Sequence, residues 1–83
     1  MTPKEFRRIR EHLGLTQPEL AEMLGFSSYL SITHYESGFR TPGILVESLM
    51  RIFDEWPEKK SRELRDELLA QARKIKKQKR KDS

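Results

Sequence analysis

The sequence predicts an all-α fold of five helices, and three observations carry that prediction. No stretch alternates apolar and polar residues as a half-buried strand would; apolar residues recur at three- and four-residue intervals instead. Helix start signals, Thr-x-x-Glu with a proline in the first turn, and helix stop signals, single glycines, punctuate the chain. With 83 residues there is room for one small domain and a modest core.

The first helix is signalled by "TPKE": Thr2 as N-cap, Pro3 at the first helical position and Glu5 as the reciprocal partner of a capping box. Phe6, Ile9 and Leu13 repeat at helical spacing, and Gly14 ends the run. "TQPE" uses the same device: Thr16 caps, Glu19 reciprocates, and Pro18 is tolerated because first-turn amides have no intrahelical acceptor. Leu20, Ala21 and Leu24 form the inner stripe of this second helix, and Gly25 supplies a left-handed stop. In the following turn Phe26 is expected to plug the core, and Ser27 or Ser28 to cap a third helix running to about Ser37, with Gly38 ending it. The loop "FRTPG" places Thr41 as the cap and Pro42 at the first position of a fourth helix carrying Leu45, Val46, Leu49, Ile52 and Phe53. Pro57 pushes Trp56 out of helical backbone, and a fifth helix starts there with Leu64, Leu68, Ala72 and Ile75 on one stripe. Three segments result: a domain over residues 1–56, an amphipathic helix over 57–72 for packing or dimerisation, and a basic tail over 73–83 that is expected to be flexible.

The net charge of +4 is unevenly placed. Residues 1–57 hold six Lys/Arg against eight Asp/Glu, and residues 58–83 hold eleven against five. The basic run "RKIKKQKRK" is therefore either a solvated arm or one that meets a polyanion. Without cysteine there is no disulfide and no thiolate metal site, which fits a reducing compartment. "MTPKEFRRIR" lacks the apolar stretch of a signal peptide, and no apolar run approaches a membrane span, so no membrane partner is expected. The expected location is the cytoplasm, on the nucleoid. No nucleophile–base set, glycine-rich phosphate loop or metal-ligand spacing is present; His12 and His34 lack partners. The residues point away from an enzyme and call for no metal, cofactor or small-molecule substrate.

The third helix carries the functional signal. At 100° per residue Ile32 and Tyr35 fall inward, while Leu30, His34 and Ser37 fall on the opposite side, which is neutral in a chain that is 36% charged. With Leu20, Ala21 and Leu24 meeting Ile32 and Tyr35, and Ala21 small enough for close crossing, the outer face of the third helix protrudes. An α-helix fits the major groove of B-DNA.

The series Gly14-Leu15-Thr16-Gln17, Leu20-Ala21, Leu24-Gly25, Ile32, Glu36 and Gly38, followed by a proline, resembles the Cro/repressor-type, lambda repressor-like helix-turn-helix family over roughly residues 3–54. The resemblance implies that the third helix reads double-stranded DNA while the second lies across the phosphate backbone. Leu30 and His34 then stand where base-contacting side chains stand, with Tyr29, Ser31 and Thr33 beside them. Leu30 suits a thymine methyl, and His34 or Thr33 a base edge. Absence of Arg, Lys, Asn and Gln from this face predicts thymine-rich or shape-dependent readout. Gln17, Ser28, Arg40 and Thr41 are the phosphate-contact candidates, and the resemblance pairs Arg10 with Glu36 as a structural ion pair. The chain departs from the family pattern by one extra residue between Gly25 and Glu36, assigned to the "FSS" turn.

A single reading helix covers few base pairs, so specific binding calls for two heads. The expected assembly is a homodimer on a palindromic operator, with Leu49, Phe53, Trp56, Leu64 and Leu68 as dimer-contact candidates. The function expected is transcriptional repression. Two rivals stand beside it: an antitoxin-like or adaptor protein whose fifth helix binds a protein partner, and an RNA-binding module driven by the tail.

Overall fold

The computed structural model describes residues 1–81, with side chains as far as Lys79. Asp82 and Ser83, the end of the expected tail, lie outside the described residues. Five helices follow one another: α1 (Pro3–His12), α2 (Gln17–Met23), α3 (Leu30–Ser37), α4 (Ile44–Glu55) and α5 (Glu58–Lys81). There is no strand among the described residues. The fold class is all-α, as the sequence predicts.

The local signals act largely as expected. Thr2 Oγ1 accepts the Glu5 amide at 3.1 Å. The box at α1 is only half formed, because the Glu5 carboxylate is taken by Arg51 of α4 at 3.4 Å. At α2 the box closes: Thr16 Oγ1 accepts the Glu19 amide at 3.2 Å, and Glu19 Oε1 accepts the Thr16 amide at 2.9 Å. Those backbone and hydroxyl donors hold the Glu19 carboxyl below its ordinary range. Past α2, Gly25 has φ +79°, and the amides of Gly25 and Phe26 turn back to the carbonyls of Glu22 and Ala21 at 3.1 and 2.9 Å. This is a Schellman stop, and its left-handed residue disfavours any side chain.

Two helix starts differ from the sequence reading. No serine side chain caps α3: Tyr29 is its N-cap, and Ser28 Oγ accepts the Leu30 amide at 3.1 Å in a local turn just before it. Thr41 is not the cap of α4 and Pro42 is not its first residue. Gly43 occupies the cap position, with no side-chain hydrogen bond. Tertiary ties set this register: Arg51 bridges Glu5 of α1 and Glu47 of α4, and Arg8 of α1 reaches Asp54 at 3.3 Å.

The core is Phe6, Ile9, Leu20, Ala21, Met23, Ile32, Met50 and Phe53, all buried. Tyr35 is half-buried against the core beside Phe6 and Phe26, with ring centroids 5.3 and 6.0 Å away. Leu64, Leu68 and Leu69 of α5 pack against this core from outside. The dimer-contact list needs correction here: Phe53 is 1% exposed and part of the protomer's own interior, so it offers nothing to a second copy. Leu64 and Leu68 are half-buried by the same docking. Leu45, expected in the apolar stripe of α4, is 72% exposed.

Helix α5 is fixed by a buried polar knot that sequence periodicity does not announce. Ser61 Oγ donates to the Phe53 carbonyl at 2.7 Å. The buried Arg65 guanidinium donates to Ser61, to Glu58 at 3.0 Å and to the Leu13 carbonyl at 3.4 Å, satisfying a carbonyl at the C-terminal end of α1. Helix α5 then continues past Ala72, where the sequence reading ends it, and the described part of the basic segment is helical. Arg73 pairs with Glu22 of α2 at 2.9 Å and ties this continuation down.

Candidate nucleic-acid interface

Helices α2 and α3 meet through Leu20, Ala21 and Ile32, and the four residues Phe26–Tyr29 join Gly25 to α3. The outward side of α3 begins with Tyr29 and Leu30, which are 50% and 52% exposed. Two large side chains thus face solvent at the leading end of a helix whose opposite side is sealed. Ser37 is exposed as well, whereas Ser31, Thr33 and His34 are half-buried.

Four side chains form one hydrogen-bonded chain across α1, α2 and α3. Arg10 grips Glu36 through two nitrogens, at 2.6 and 3.0 Å, and also donates to the Leu15 carbonyl at 2.8 Å. The hydrogen bond to Glu36 is the main cause that raises the Arg10 pKa above its ordinary value. Gln17 Nε2 donates to Glu36 Oε1 at 3.2 Å, and Gln17 Oε1 accepts the Thr33 hydroxyl at 3.0 Å. Two site candidates are therefore already engaged: Thr33 turns its hydroxyl toward α2, and Gln17 spends both ends of its amide on α3. Together they tie α3 to α2, and both ends of the Gln17 side-chain amide are used in doing so.

His34 is partly covered by Phe39, whose ring centroid is 4.8 Å away. The sequence reading passed over Phe39; its only signal is an aromatic placed directly after the helix-ending glycine. Gly38 has φ +84°, so the chain turns there at no steric cost and leads Phe39, Arg40 and Thr41 out exposed. Ser28 is exposed, with its oxygen on the Leu30 amide and its O–H left to donate. A shallow groove beside the turn is lined by Pro18, Glu22, Phe26, Ser27, Ser28, Tyr29 and Lys76. It brings a lysine of the basic segment next to the leading end of α3, a juxtaposition the sequence did not show.

Among the described residues no group of three or more histidine and acidic side chains gathers as metal ligands, and no helix is long and apolar enough to cross a membrane. Neither the curated proteins nor the solved structures show a significant match to the chain. A family model, described as helix-turn-helix, matches residues 6–46, which run from the core of α1 through α3 into the start of α4. Locked α2–α3 crossing, glycine turns, outward α3 face and family match agree: residues 6–46 form a helix-turn-helix domain of the Cro/C1-type, lambda repressor-like kind found in DNA-binding transcription regulators.

Proposed function

We propose that the protein is a sequence-specific repressor that binds a palindromic operator in double-stranded DNA as a homodimer. The observation that carries this is the exposed pair Tyr29 and Leu30 at the leading end of α3, backed by a helix that cannot rotate because Thr33 and Glu36 are tied to Gln17 and Arg10. Tyr29, Leu30, Ser31 and His34 supply the base contacts; a methyl-seeking leucine without a guanidinium beside it favours thymine-rich half-sites. Ser28, Arg40, Thr41 and the backbone at Gln17 take the phosphates. Lys76 adds a further cation on the same side, where the N-terminal body has no excess of positive charge. Repression follows from occupancy of the operator. For the adaptor reading, Leu64 and Leu68 of the α5 stripe are engaged within the domain, which leaves Ile75, 49% exposed, as the part of that stripe open to a protein partner.

Selection from a randomised duplex pool tests the proposal. The expected result is a two-fold symmetric motif with half-site centres about 34 Å apart. Failure to enrich any motif, or preference for single-stranded RNA over duplex, overturns it.

A further inference from the structure

Helix α4 has two apolar faces; the core uses one in full and takes from the other only Leu49, which packs against it. Val46, Met50 and Phe53 point inward. About 100° round the helix, Leu45, Leu49, Ile52 and Trp56 form a second stripe within a band about 60° wide. Leu45 is 72% and Trp56 45% exposed, while Leu49 and Ile52 are half-buried. Building on the homodimer reading, we infer that this stripe is the dimer contact: α4 packs antiparallel against α4 of a second copy, about a two-fold axis passing between Met50 and Arg51.

The order of the residues argues for a second copy. A two-fold contact has to be complementary to itself. Leu45 and Trp56 are equidistant in sequence from the Met50–Arg51 peptide, and so are Leu49 and Ile52. Antiparallel pairing therefore sets each large end residue on the other, and each inner residue on the other. Charge agrees. The one carboxylate flanking the stripe, Glu55, is brought by the axis to Ser48 of the partner subunit, a hydroxyl donor, and not to its own counterpart. Area agrees too. Twelve residues of helix make a strip about 18 Å long, which falls short of the ~800 Å² per partner of a stable interface. Such pairing is weak in free protein and is completed when two copies occupy adjacent half-sites.

The chain has no cysteine, so single-cysteine variants report directly. Leu49→Cys and Ile52→Cys proteins, mixed on the selected duplex and treated with a short bismaleimide, should give the mixed crosslinked dimer. Lys59→Cys protein should not. The crosslink is also sought in concentrated protein without DNA. In parallel, Leu45→Glu/Ile52→Glu should keep the wild-type circular dichroism melt and half-site affinity, and lose roughly 10²-fold on the palindrome. A palindromic motif with no crosslink and no affinity loss overturns this face and leaves the homodimer standing. Selection of lone half-sites, with monomeric protein at every concentration, overturns both.

Discussion

At the scale of single residues, the proposed reading rests on Leu30 and His34, and the Arg10–Glu36 pair holds the helix that presents them. Alanine at Leu30 or at His34 should flatten base preference at one half-site position each, by about 1–3 kcal/mol. Repeating the selection with each variant checks this; unaltered motifs would remove both from the reading set. His34 sits against Phe39, so Phe39→Ala should shift the His34 position of the motif without affecting that of Leu30. Arg10→Ala strands a nearly buried carboxylate and should lower stability by about 3 kcal/mol, at the low end for buried pairs because part of Arg10 reaches solvent. Replacing Arg10 and Glu36 together with Met and Leu should recover most of that in urea titrations. If the double variant is as unstable as the single one, the pair matters for more than mutual neutralisation.

At the scale of elements, capping and docking make separate contributions. Thr16→Ala removes the acceptor for the Glu19 amide and should lower stability by about 1 kcal/mol in urea unfolding, with the motif unchanged. Acid should act on α2 twice. The Arg73 hydrogen bond holds the Glu22 carboxyl below its ordinary pKa, as the Thr16 donors do for Glu19. A depressed folded-state value means the unfolded chain binds protons first as pH falls. The stabilisation is therefore complete above the ordinary carboxylate range and is lost as pH drops through the depressed values. Wild-type thermal midpoints should fall over that acid window, and Glu22→Gln should flatten part of the fall; identical profiles would deny the α2–α5 tie. The elements legible in the sequence are those fixed by neighbours in the chain: the Thr2 and Thr16 caps, and the stops at Gly14 and Gly25. The start of α4 was not legible, because Arg51 and Asp54 set it through residues 46 positions away. Arg65 and Ser61 look like surface residues until the Leu13 and Phe53 carbonyls are brought to them. The site divided in the same way. Leu30 followed from helical periodicity, whereas the Gln17–Thr33 tie joins two helices and has no local signature.

At the scale of the molecule, a net-acidic body is joined to a basic helix that folds back along α2 and brings Lys76 to the α2–α3 turn. Non-specific DNA affinity should therefore come mainly from α5. Each neutralised phosphate adds about 0.9 to the slope of log K against log salt, so Lys76→Gln/Lys79→Gln should reduce that slope by up to about 1.8. Fluorescence anisotropy over a salt series measures it, and an unchanged slope would make these lysines bystanders. Placing DNA against α3 remains the claim on which the others rest. The most direct measurement is an amide chemical-shift titration of labelled protein with the selected duplex. The largest changes should fall on residues 28–34, with smaller ones at Gln17, Arg40 and Thr41 and little at residues 58–68. Changes confined to α5, with residues 28–34 unmoved, would contradict the account.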